Sequence, residues 1–95
     1  MAEPVARLLR IAGRVQGVGY RDWLVGAARA LRIAGWVRNR ADGSVEALIA
    51  GPADVVAALE LRCADGPRFA RISVVEGEVA NPEGAPSPFE RRATA

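Results

Sequence analysis

From Val5 to Gly13 the apolar positions alternate incompletely, with Leu9 and Ile11 on one face and Leu8 and Arg10 on the other, which predicts a strand. Residues 14–19 form a loop with glycines at 17 and 19. The period then changes. Over Arg21 to Ile33 the apolar stripe is Leu24, Ala27, Ala28 and Leu31, with Asp22, Arg29 and Arg32 off it, which predicts a helix. Asp22 falls in its first turn, where negative charge suits the helix dipole. Gly35 breaks the pattern, and two short strand-like runs, Trp36 to Arg40 and Ser44 to Ala50, flank Ala41-Asp42-Gly43, a hairpin signal. Gly51-Pro52 opens a second helix with Pro at its first position, and Val56, Leu59 and Cys63 mark the inner face. Asp65-Gly66-Pro67 stops that helix. Phe69 to Val79 predicts a long strand in which Ile72 and Val74 alternate with Arg71 and Ser73. Residues 80–88 carry three prolines and a glycine and form a loop; Phe89 to Thr94 makes an edge strand or a tail.

The predicted order is β-α-β-β-α-β with a possible fifth short strand. Two helices on one face of an antiparallel sheet is the ferredoxin-like α+β sandwich. At 95 residues the chain has room for one core, so residues 1–95 are expected to form a single domain.

Composition narrows the chemistry. About half the residues are apolar (51%) and a quarter charged (25%), too apolar for a disordered chain. No apolar run approaches the roughly 18 residues of a membrane helix, and Met1 to Arg10 lacks the apolar stretch of a secretory signal, so the expected location is cytoplasmic, with no membrane partner. One cysteine, Cys63, offers neither an internal disulfide nor a metal cluster and reads as a small core residue. With no histidine, the commonest general base and metal ligand are missing. All thirteen basic residues are arginine, which excludes lysine Schiff-base chemistry and a lysine-dependent P-loop. The bland reading, codon bias, is the expected main cause of that arginine preference.

Two segments carry chemistry. In Gly13-Arg14-Val15-Gln16-Gly17-Val18-Gly19-Tyr20-Arg21 a strand ends, a glycine loop turns and a helix begins. Backbone amides in such a loop converge on an anion, the helix N-terminus adds donors and a positive dipole end, and Arg21 adds a two-pronged cation. In Gly35-Trp36-Val37-Arg38-Asn39-Arg40-Ala41-Asp42-Gly43-Ser44-Val45-Glu46, Asn39 ends a strand just before the hairpin turn. Its carboxamide accepts from water and donates to phosphate, although asparagine is also an ordinary turn residue.

Together these segments resemble the two signatures of the acylphosphatase family: Gly-x-Val-Gln-Gly-Val-x-aromatic-Arg, then Gly-Trp-Val-x-Asn-x-x-Asp-Gly-x-Val-Glu, in order and at a fitting distance. Gly51, Gly66-Pro67-Arg68, Ala70-Arg71-Ile72 and Phe89-Glu90-Arg91-Arg92 extend the resemblance over nearly the whole chain. The resemblance implies hydrolysis of acyl phosphates to carboxylate and inorganic phosphate without a metal or other cofactor. It implies that Gln16, Gly17, Val18, Gly19 and Tyr20 cradle phosphate, that Arg21 holds it, and that Asn39 orients the attacking water. The expected partner is a small-molecule acyl phosphate, with inorganic phosphate as product or inhibitor, and the expected state is a monomer.

Two departures stand out. The family ends its first helix with Gly where this chain has Arg32, and the loop over 80–88 is unusually proline-rich before a polar tail. Trp36 and Tyr20 read as packing residues, Arg38 and Arg40 as a solvated strand face, and Arg91 and Arg92 as exposed residues with some scope for pairing by the tail. A rival reading is a non-catalytic anion- or RNA-binding module. Five aromatics, no stacking motif and a net charge of +2 argue against nucleic acid. A third reading is a regulatory domain of a carbamoyl-transfer protein; the chain starts at Met1 and no zinc motif follows, which argues against that too.

Overall fold

The structure, a computed structural model, describes residues 3–95. In chain order the elements are β1 (Val5–Arg14), α1 (Tyr20–Ala30), β2 (Ala34–Asn39), β3 (Val45–Gly51), α2 (Ala53–Cys63), β4 (Arg71–Ala80) and β5 (Glu90–Arg91). The sheet order is β4-β1-β3-β2-β5. Every pair is antiparallel except β2–β5, which is parallel, so the fifth strand makes an otherwise antiparallel sheet mixed. Leu9, Ile11, Val37, Val45, Ala47 and Ile49 from the sheet share one core with Leu24 and Ala28 of α1 and Val56, Leu59 and Cys63 of α2. Both helices therefore lie on one face, the ferredoxin-like arrangement expected from the pattern. This topology brings the end of β1, the start of α1 and the end of β2 to one end of the sheet.

The first helix stops three residues earlier than its apolar stripe predicts. Arg32 adopts a left-handed backbone (φ 56°). The Ile33 amide donates to the Ala28 carbonyl (2.9 Å) and the Arg32 amide to that of Arg29 (3.1 Å), the paired bonds of a Schellman close. Ile33 turns into the core, while Leu31, placed on the stripe by periodicity, caps the helix and stays partly exposed. In α2, Pro52 is the N-cap and not the first helical residue, because its ψ of 141° is extended.

The predicted alternation of β4 also fails, for a local reason. Ala12 faces Val74 but Gly13 faces Ile72, so Ser73 is an extra residue without a partner on β1. The bulge shifts the alternation: Ile72 and Val75 pack on the core and Val74 is 40% exposed. Gly13 permits this close approach, since a Cβ there would lie 2.2 Å from the Arg71 carbonyl oxygen, and its φ of 123° excludes other residues.

The strain at Arg32 gives a test. A non-glycine residue in this conformation costs about 1–2 kcal/mol, of which glycine's greater unfolded-state entropy returns about 0.5–1. Arg32→Gly is expected to raise Tm by about 2–8 °C in thermal unfolding. An unchanged or lower Tm would show that the arginine side chain offsets the strain.

Candidate active site

The loop between β1 and α1 is built to leave its donors free. Gly17 (φ 73°) and Gly19 (φ 80°) are both left-handed, and a Cβ at either would meet nothing within 4 Å. Glycine is needed there for backbone angle and not for space. Gly19 is the N-cap of α1 and supplies no side-chain cap, so the first-turn amides keep their free valence. Among the described residues, no well-formed hydrogen bond ties the backbone amides of residues 16–22 to a protein acceptor. A row of free N–H groups at the positive end of a helix is an anion site.

The side chain of Gln16 does something different from its amide. Its Nε2 donates to the carbonyls of Arg40 (2.8 Å) and Ser44 (2.9 Å), on either side of the β2–β3 turn. Gln16 thus staples the loop to the hairpin carrying Asn39. The turn is closed from within by Asp42, whose Oδ1 accepts from the Ser44 amide (2.9 Å) and hydroxyl (2.6 Å). These bonds, led by the hydroxyl, hold the Asp42 carboxyl below its ordinary value, and Arg10 and Arg40 add to the effect.

Asn39 and Arg21 face the same space. A cavity of about 160 Å³ is lined by Val15, Gly17, Gly19, Tyr20, Arg21, Asp22, Asn39 and Arg91. Asn39 Oδ1 is buried with no hydrogen-bond partner among the described residues, a costly state that native structures keep mainly where a ligand or water completes it. Arg21 donates weakly from Nη1 to the Arg92 carbonyl (3.3 Å) and has no carboxylate among the described residues within ion-pair distance. The neighbouring Asp22 is held by Arg91 instead (2.6 Å), leaving the Arg21 charge uncompensated. Of the residues singled out from sequence, Gly17, Gly19, Tyr20, Arg21 and Asn39 meet at this cavity. Gln16 acts behind it, and Val18 lines the adjoining one. Arg91 was missed as a lining residue; the parallel pairing of β5 that brings it 69 positions back to Asp22 leaves no trace in local periodicity. A larger cavity of about 520 Å³ under α2 is lined mostly by apolar residues and an already paired Arg7 and Glu60.

The family model for acylphosphatases matches residues 8–91. This chain belongs to the acylphosphatase family. It is 54% identical over 91 residues to an acylphosphatase of Nitrobacter hamburgensis, covering 94% of this chain and 92% of that one. To an acylphosphatase of Acidiphilium cryptum it is 50% identical, covering 95% and 98%. The structure of an acylphosphatase from Coxiella burnetii superposes with a TM-score of 0.88 at 31% identity, covering 94% of this chain and 93% of that one.

The remaining conspicuous side chains are structural. The Tyr20 ring is buried 5.4 Å from that of Trp23, and its hydroxyl donates to the Cys63 carbonyl (2.7 Å), tying the start of α1 to the end of α2. Burial raises the Tyr20 hydroxyl pKa and pushes the Cys63 thiol up to about 11, so neither ionises at neutral pH. Trp36 departs from its expected core role. Val37 takes the inward position of β2, and Trp36 lies on the other face with the guanidinium groups of Arg38 (4.9 Å) and Arg92 (5.1 Å) near its ring. Arg38 and Arg40 are both paired with Glu46. The tail does pair: the Arg92 amide donates to Val37, and the Ala95 amide to the carbonyl of Asn39 (2.9 Å).

Gln16→Ala removes two bonds from carbonyls that each keep a backbone partner, and is expected to cost about 1 kcal/mol, a Tm fall of about 4–8 °C. The lowered Asp42 pKa has a sign that can be checked. Its stabilisation is present above the ordinary aspartate range and is lost as pH falls through the lowered folded value. The Tm difference between wild type and Asp42→Asn should therefore favour wild type at pH 7 and shrink steadily below about pH 4.

Proposed function

We propose that the chain hydrolyses acyl phosphates to a carboxylate and inorganic phosphate, acting as a monomer without a metal. In this reading the free amides of residues 16–22 and the Arg21 guanidinium hold the phosphoryl oxygens, and Asn39 Oδ1 accepts a hydrogen bond from the attacking water. The observation that carries the reading is the convergence of Arg21, Asn39 and the loop on one cavity, with Asn39 Oδ1 lacking a partner.

The chemistry asks little more of the protein. Water oxygen attacks phosphorus, the bond from phosphorus to the acyl oxygen breaks, and a carboxylate leaves. The conjugate acid of that leaving group has a pKa near about 4, so no general acid is required. The water proton passes to a phosphate oxygen of the substrate itself. What remains is positioning and neutralisation of the equatorial oxygens, supplied by dipoles and a guanidinium fixed in advance. A chain without histidine or lysine has the groups for this. The RNA-binding alternative is not favoured, and the Trp36 ring is already in contact with the guanidinium groups of Arg38 and Arg92.

Hydrolysis of benzoyl phosphate tests the proposal. Turnover should persist in chelator and be inhibited competitively by inorganic phosphate; dependence on a divalent metal would overturn the mechanism. Arg21→Ala and Asn39→Ala should each lose at least about 100-fold in activity, the scale of a lost transition-state donor. Arg21→Ala should also lose phosphate inhibition. Asn39→Ala should keep it while kcat falls, and near-normal turnover by Asn39→Ala would remove that residue from the mechanism.

A further inference from the structure

Next to the cavity of Arg21 and Asn39 lies a second one, about 450 Å³, lined by Arg14, Gly17, Val18, Phe69 and Arg71. The two meet at Gly17, which lines both. Arg14 ends β1 and Arg71 begins β4, and they face each other directly in the ladder. Like charges in that relation destabilise a sheet. Among the described residues Arg7, Arg10, Arg38, Arg40, Arg91 and Arg92 have carboxylate partners, and neither Arg14 nor Arg71 has one. The bulge at Gly13 and Ser73 sets this pairing, and bulges beside active sites commonly re-aim side chains. Phe69, in the loop between α2 and β4, has 67% of its surface exposed, and the Arg68 guanidinium sits 5.5 Å from its ring centre.

The smaller cavity, about 160 Å³, is lined by the groups proposed to hold the phosphoryl group, so the acyl group of a bound substrate extends beyond it. We infer that the cavity of Arg14, Phe69 and Arg71 is the acyl-group subsite, and that it selects acyl phosphates whose acyl part carries a second anionic group. Phe69 and Val18 contact the carbon skeleton, and the two guanidinium groups, unfavourable neighbours in the free protein, are neutralised by the second anion. This rests on the hydrolase reading above and adds a substrate class to it.

The test compares 3- and 4-carboxybenzoyl phosphate with 4-methylbenzoyl phosphate. Wild type is expected to favour the better carboxylated substrate by about tenfold in kcat/KM, the effect of two solvent-exposed charge contacts, and the preference should fall as salt is raised. Arg14→Gln/Arg71→Gln should bring the ratio to about one while hydrolysis of the methyl compound stays within about twofold of wild type. Arg32→Gln removes a charge at the far end of the sheet and should leave the ratio unchanged, which separates a local contact from net charge. Hydrolysis of all three compounds with no preference in wild type, or with a preference that survives the double substitution, would overturn the subsite and leave the hydrolase reading intact. Hydrolysis of none would remove both.

Discussion

The structure depends on holding one loop rigidly without using its amides. Those N–H groups are the strongest local handles on a loop, and in most turns the fold itself consumes them. Here no well-formed bond to the described residues engages the amides of 16–22, and other groups take over the work of fixing the backbone. Gln16 reaches across to the hairpin through its side chain, Tyr20 plugs the core and bonds to the Cys63 carbonyl, and Val15 is buried at the end of β1. The missing side-chain cap at Gly19 belongs to the same economy. A serine or aspartate there would satisfy a first-turn amide and, with aspartate, put a negative charge at the mouth of the cavity beside Arg21.

The same constraint organises the hairpin and the tail. Asn39 ends β2 with its carbonyl bonded by the Ala95 amide, its strand continued by Arg92 bonding to Val37, and its turn locked by Asp42 and Gln16. Each of these bonds engages backbone or turn, so the Asn39 carboxamide oxygen is left alone in the cavity. Charge is sorted in a parallel way. Asp22, adjacent in sequence to Arg21, would be the natural partner to cancel it, but Arg91 takes Asp22 instead. The tail therefore serves both halves of the site, one through backbone bonds and the other by diverting a carboxylate.

Much of this was legible in the sequence, and what was not has identifiable causes. Period-2 and period-3.6 patterns located both helices and four strands, because Leu9, Ile11, Leu24, Ala28, Val56, Leu59 and Cys63 all face one core. The two signatures supplied Arg21 and Asn39. The misses arise where one residue changes the phase of a pattern. Ser73 inverts β4, so Val74 points outward; Arg32 ends α1 early, so Leu31 leaves the stripe. Trp36 was misjudged because hydrophobic size says nothing about which face of a two-sided strand a residue takes when Val37 beside it fits the core better. Long-range polar contacts, such as Gln16 to the hairpin and Arg91 to Asp22, join residues 24 to 69 apart and have no periodic signature at all.

Local rules are broken at four places, and their distribution separates function from accident. The uncapped helix, the unpartnered Asn39 oxygen and the facing Arg14 and Arg71 all lie at the end of the sheet where β1 and β2 finish. Each is a polar or charged group without a partner of the kind it needs among the described residues, and in the proposed mechanism each is relieved by an anionic substrate and the water that attacks it. Arg32 is different in kind and place. It lines a hollow with Pro4, Gly51 and Pro82 at the opposite end, its strain is in the backbone, and no ligand would relieve it. Nothing in the structure explains an arginine there. Unsatisfied groups that share one cavity define a site, because binding lowers their cost together; an isolated strained dihedral lowers stability and points to no ligand.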